Sequence, residues 1–410
     1  MGQLDTNAYY ALGAPMYGLL VAVEYWVASR RGVRVFGFAD SIGNISAGVG
    51  EVIVGLFLGP LLIALYDFGY DHIALVHWPE RSWVPWVLAF LVSDFCYYWY
   101  HRAGHRVAVL WSIHGVHHQS REFNVTVAMR HPWLSDSYSA LFYVPCPLLG
   151  IPPTHFFVAI SLISFYALTI HTRFFNRPSL YVLTTPATHV LHHATNPRYL
   201  GKNLGAMFTI WDRLFGTYAA PDATEPPVLG SLGGYQSHDG AWAQWQFPRL
   251  LFHGARRART FGEVLRVFFS HPGWLPRECT PPKLPAARDD AQIPRSLKTY
   301  IATQFGVLLA FAIWVSWLRA HHGWALLLAS SLLILFGLGA LGGLLDGRRG
   351  ARQVELIRLL ANSSFAFTLA VVGRDPFSLV YVGFALLSAR WFVSIREDAP
   401  AAHHHFESRG

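Results

Sequence analysis

The sequence predicts an all-α integral membrane protein, a multi-span bundle of transmembrane helices with a histidine-rich cap on the cytosolic side. Three observations lead there. Only 14% of the 410 residues are charged and 53% are hydrophobic, whereas soluble domains carry about 25% charge. Apolar runs long enough to cross a bilayer, about 20 residues, recur from end to end. Between them lies a long stretch of different composition, rich in His, Pro, Gly, Arg and Trp.

Taken in order, spanning helices are expected near 9–29, 45–66, 84–100, 134–150, 155–171, 298–318, 323–344, 353–372 and 376–395. The fourth and fifth, separated by Gly150-Ile151-Pro152-Pro153, read as a hairpin that enters the membrane and returns, because that tetrapeptide cannot continue a helix. Arg30, Arg31 and Arg34 follow the first span, so its C-terminal end should face the cytosol. Counting onward places His101, His171, segment 172–297, Arg348, Arg349 and Arg396 on that same side. The domains follow: N-terminal helices 1–80, a catalytic unit 81–220, a cytosolic cap and linker 221–297, C-terminal helices 298–396 and a tail 397–410. The tail's His403, His404 and His405 read as solvated.

The formal charge of +8 suits arginines facing anionic lipid headgroups and does not call for nucleic acid as a partner. Three cysteines with no CxxC pair exclude a thiolate metal site and a disulfide framework. The first apolar run lacks a basic leader and a small-residue cleavage site, so it reads as a retained helix. The whole is expected to be multi-pass, in a bacterial inner membrane, or in the endoplasmic reticulum if the chain is eukaryotic.

Function is carried by three histidine groups. His101 and His105 are four apart; His114, His117 and His118 form a second group; His189, His192 and His193 form a third. Residues three and four apart share one face of a helix, so each group should converge its rings on one patch. Stacking eight imidazoles without a metal would cost desolvation and, once protonated, repulsion. Eight ligands exceed what one ion takes, so two ions are expected, and the cap is a two-metal one. Imidazole suits iron, zinc, copper and nickel alike. Iron is preferred because a nitrogen-rich site at a membrane surface can activate O2 beside a lipid chain; two zincs stay open. No Glu-x-x-His pattern of a carboxylate di-iron bundle is present. His131 and His171 are further candidate ligands. Asp94, seven residues before His101, is expected to bond a ligand ring. Tyr97, Tyr98 and Trp99 read as interfacial anchors. Lone histidines such as His72, His77, His155, His238 and His253 read as ordinary packing residues.

The boxes and their flanks, DFCYYWYHR (94–102), LWSIHGVHH (110–118) and TPATHVLHH (185–193) followed by NPRYLGKNLGAMFTIWDRLFGTY (196–218), resemble the fatty acid hydroxylase/sterol desaturase superfamily. SIGNISAG (41–48), HHQSREFNVTVAMR (117–130), IHTR (170–173), HPGW (271–274) and GLLDGRRGARQVELIRLL (343–360) extend the resemblance to its alkylglycerol monooxygenase family. That resemblance implies a membrane di-iron, O2-dependent monooxygenase of a lipid alkyl chain, cleaving ether lipids by hydroxylation next to the ether oxygen. It carries iron ligation onto His101, His105, His114, His117, His118, His189, His192 and His193, and it makes tetrahydrobiopterin a candidate reductant. Two positions depart from the family pattern, Arg106 and Arg173 standing where it has Glu, and a cation cannot bind a pterin's guanidine-like edge.

No Rossmann glycine fingerprint or P-loop appears, and His271-Pro272-Gly273 reads as a loop. An external electron donor, a pterin or a reductase, is therefore expected. Two other activities compete: a hydroxylase or desaturase of a sterol, hopanoid, carotenoid or sphingoid lipid, and a non-catalytic metal-binding membrane protein.

Overall fold

The computed structural model describes residues 6–174, 181–282, 287–318, 323–373, 375–376 and 378–395; Arg396 and the tail with His403–His405 lie outside them. The described residues are helical, with two isolated β-bridges and no strand. α1 (Thr6–Arg30) and α2 (Phe38–Ile73) lead into α3 (Val84–Arg106). Short helices follow: α4 (Ala108–His114), α5 (Val125–Ala128), α6 (Ser135–Ser139) and α7 (Pro145–Leu148). After α8 (Pro153–Thr169) the cap contributes α9 (Pro186–His192), α10 (Ile210–Leu214), α11 (Gly240–Ala255) and α12 (Phe261–Phe269). The chain ends with α13 (Arg295–Leu318), α14 (Trp324–Leu345), α15 (Ala351–Val371) and α16 (Ser378–Ser394).

Among the described residues, four helices are long and apolar enough to cross a membrane: Phe38–Ile73, Arg295–Ser316, Trp324–Leu345 and Ala351–Val371. α8 and α16 are apolar but shorter, at 17 residues each. The expected span 134–150 is not a continuous helix. Pro145 and Pro147 remove backbone donors and fix the chain, so only α6 and α7 form there, and the hairpin has one helical arm. The segment still runs from one end of the bundle, where His131 meets Glu51 at 3.0 Å, to the other, where Leu75 N donates to Leu148 O at 2.9 Å. Gly150 closes that far turn with φ +69°, and a Cβ there would lie 1.7 Å from Val76 O.

At 36 residues, α2 is about 54 Å long, well beyond the ~30 Å hydrocarbon core. Its first turns carry Asp40, Ser41, Asn44, Ser46 and Glu51 and emerge on the arginine side. Asp290 starts the helix by accepting from Phe38 N and Ala39 N at 2.8 Å each. α11 packs on those emergent turns, and glycine makes the approach possible: a Cβ on Gly43 would sit 2.9 Å from the His238 backbone, and one on Gly342 of α14 2.3 Å from Asp239 Cα. Asp346 and Arg348, in the turn after α14, bond Ser237, His238 and Asp239. The motif at 343–360 thus locks the C-terminal bundle to the cap.

Candidate metal centre

Each histidine box sits at a helix end or in the turn beyond one. His101 and His105 occupy the last turns of α3. His114 ends α4, and His117 and His118 follow in a single 3-10 turn. The third box is fixed by its start: Pro186 takes the first helical position, where no donor is needed, and the Thr188 hydroxyl accepts from Thr185 N at 3.0 Å. α9 then runs only to His192, with His193 closing it.

The rings gather into two groups, within each of which the candidate ligand atoms lie within 4.8 Å of one another: His101, His105, His114, His118 and His192 in one, His117, His171, His189 and His193 in the other. The boxes therefore do not each form one patch. The i,i+4 pairs (101/105, 114/118 and 189/193) stay together, while His117 and His192, one residue from a partner, turn to the other group. At a helix end, one residue's step is about 100° of rotation. The two groups share a wall, the His118 and His193 rings being 4.6 Å apart between centroids.

The chemistry of this donor set fits metal. Four rings have Nδ1 against a backbone carbonyl: His101 on Leu204 O (2.7 Å), His192 on Lys202 O (2.9 Å), His117 on Arg130 O (3.2 Å) and His171 on Ala167 O (2.8 Å). Those contacts require the proton on Nδ1 and leave Nε2 a lone pair. Yet the Nε2 atoms of His117 and His171, both with Nδ1 on a carbonyl, face one another at 3.3 Å, and the buried Nε2 of His105 and His192 have no partner. Lone pairs aimed at a common point in a buried site are a donor set that suits a cation. Burial first, then neighbouring imidazoles, push seven of these histidines well below their ordinary pKa. Burial pushes His171 to about 3 and His192 to about 4. All nine are neutral at pH 7, the form that ligates.

His171 thus joins the second group. His131 does not: its Nδ1 faces Glu51 Oε1, and it stands outside both groups. Asp94 bonds no histidine either. It accepts from Met207 N (2.9 Å), Phe208 N (3.2 Å) and Trp211 Nε1 (2.9 Å), fixing the loop whose Leu204 carbonyl holds His101. Backbone carbonyls take the role expected of a carboxylate. Tyr98 is no interfacial anchor; it is fully buried, with its hydroxyl 2.9 Å from Thr217 Oγ1. His72, His77, His155, His238 and His253 belong to neither group.

Several supporting residues gave only weak sequence signals. Asp212 accepts from Leu204 N and Gly205 N at 2.8 Å each and from Thr217 Oγ1 at 2.7 Å. Glu24, on α1, accepts from Val125 N (2.6 Å) and Thr172 Oγ1 (2.5 Å), tying the second box's loop to the residue after His171. Arg130, 1% exposed, donates to Val116 O, Asn44 Oδ1, Gln119 Oε1 and Ser237 O, so its own carbonyl is held where His117 needs it.

Residues 86–217 match the fatty acid hydroxylase family model. Alkylglycerol monooxygenase of Xenopus tropicalis is 31% identical over 83% of this chain and 78% of its own length. The Homo sapiens alkylglycerol monooxygenase is 30% identical over 78% and 74%. A Delta(7)-sterol 5(6)-desaturase of Aspergillus fumigatus is 27% identical over 42% and 48%. No solved structure matches. A bundle of membrane helices with this domain is a membrane lipid hydroxylase, an oxidoreductase. The chain belongs to the alkylglycerol monooxygenase family, which it matches across most of its length.

Proposed function

We propose that the chain is a di-iron monooxygenase that uses O2 to hydroxylate the alkyl chain of a membrane lipid, with ether-linked alkylglycerols the first candidate substrate. The observation that carries this is the pair of converging histidine groups beside apolar helices. His101, His105, His114, His118 and His192 would hold one iron; His117, His171, His189 and His193 the other. Two irons there would supply the redox chemistry that activates O2. The chain's own residues do the rest. Carbonyls of Leu204, Lys202, Arg130 and Ala167 hold the Nδ1 protons, so each ring presents Nε2. Tyr97, packed edge-on at 5.4 Å from the His101 ring, gives the centre a dry aromatic neighbour suited to a lipid chain.

Hydroxylation consumes one O2, two electrons and two protons and yields the alcohol and water, so a separate reductant is required. A tetrahydropterin or a reductase protein is the candidate class. On an ether lipid, hydroxylation beside the ether oxygen gives a hemiacetal that collapses to an aldehyde and glycerol. The site faces the cytosol in this proposal, supported by Arg30, Arg31, Arg34, Arg348 and Arg349 gathering at the same end of the bundle.

Purified protein should hold about two irons per chain. With alkylglycerol, 18O2 and a tetrahydropterin it should release aldehyde carrying label. Zinc in place of iron would sink the proposal, as would an unsaturated product free of label, which would instead favour a desaturase like the matched sterol enzyme.

A further inference from the structure

We propose that α11 and α12 form an interfacial platform that binds an anionic phospholipid of the host membrane, separate from the histidine centre. A groove of about 480 Å³ on α11 is lined by Trp242, Trp245, Phe252, His253, Arg249, Arg256 and Arg257. Trp245 and Phe252 are 61% and 55% exposed, a wasteful placement in water. Arg249, Arg256 and Arg257 are exposed and form no ion pair among the described residues. Arg257 donates only to His253 Nδ1, whose Nε2 faces Thr280 O.

α12 continues the surface. Phe261, Leu265 and Phe269, four residues apart, make one stripe along the helix, and their exposures are 76%, 43% and 65%, while Val267 packs inward on Leu251 and Ala108. An amphipathic helix with an uncovered apolar stripe, beside aromatics and basic residues, has the composition of a segment lying in the headgroup zone. Its depth agrees. α11 packs on the turns of α2 that emerge from the hydrocarbon and on the end of α14 near Asp346, which is where headgroups lie. Charge decides the occupant: three guanidiniums with no carboxylate partner among the described residues complement a phosphodiester that has no compensating cation, and the indole and phenyl rings suit the top of an acyl chain.

The full-length protein would be reconstituted in nanodiscs of phosphatidylcholine containing a tenth phosphatidylglycerol, then transferred to detergent and its retained lipids counted by native mass spectrometry. Each basic residue near an anionic surface contributes about a fivefold factor. Wild type should therefore retain phosphatidylglycerol in preference, and Arg249→Gln/Arg256→Gln should lose at least about tenfold of that preference. Equal preference in the two proteins would overturn the proposal. A second measurement does not depend on the arginines. A nitroxide on Phe269→Cys should be relaxed by O2 and shielded from a water-soluble nickel chelate. Full access to the nickel chelate would mean that this face meets water or a soluble partner, and the platform would be refuted.

Discussion

At the scale of single residues, the assignment of each imidazole to one of two groups is sharper than the boxes suggest. His189 and His192 are one helical turn apart on α9, yet they stand in different groups. If the groups hold one ion each, His192→Ala and His189→Ala should each cut bound metal from about two ions to about one per chain, and both should abolish turnover. Elemental analysis of the purified variants checks this. A variant that kept both ions and full activity would remove that histidine from the ligand set. His131→Ala should keep both ions, because its ring is turned to Glu51.

Among the elements, the irregular pieces rather than the spanning helices aim the rings. The loop 204–208 hangs on two buried carboxylates, Asp94 and Asp212, and an unpaired buried donor costs about 1–3 kcal/mol. Asp94→Ala strands two backbone N–H groups and the Trp211 indole. It should destabilise the protein by several kcal/mol, seen as a clear fall in melting temperature, and should weaken metal retention through His101. Glu24→Ala should act likewise through Val125 and Thr172 with a smaller loss, since only two donors are stranded; no change in melting temperature would show that water replaces the carboxylate. These positions show what was legible. Long apolar runs announced α2, α13, α14 and α15, and the three boxes announced which histidines gather, but the rule that residues three and four apart share a face held only for the pairs four apart. The split of the boxes was not legible, because it depends on where α4 and α9 stop. Nor was the carbonyl support of the rings, since backbone carbonyls carry no sequence signature. The span expected at 134–150 failed because the run is apolar on average around Pro145 and Pro147, which the backbone cannot tolerate inside a helix. Asp94 announced itself as a costly charge, but its partners are peptide N–H groups supplied more than a hundred residues away.

For the whole molecule, the buried histidines tie folding to pH and, where the centre holds ions, to metal. α3, α4, α9 and the turns after α4 and α8 all send rings into the imidazole cluster, so ions bound there would cross-link segments distant in sequence and stabilise the fold by mass action. The sign of the pH effect follows from the protons. In the unfolded chain each histidine titrates near 6.5, while in the folded protein burial holds His192 down to about 4 and His171 to about 3. Below pH 6.5 the unfolded state takes up more protons, so stability is complete above that pH and is lost as pH falls toward the folded values. Each such histidine contributes a loss of about 1.4 kcal/mol per pH unit. The detergent-solubilised protein should therefore melt at clearly lower temperature at pH 5 than at pH 7.5, releasing metal as it does so. A chelator at pH 7.5 should reproduce part of that fall, and the stripped protein should still show the acid sensitivity, because the depressed pKa values arise from burial and from neighbouring rings. A melting temperature independent of both pH and chelator would mean that the rings are neither buried together nor joined by ions.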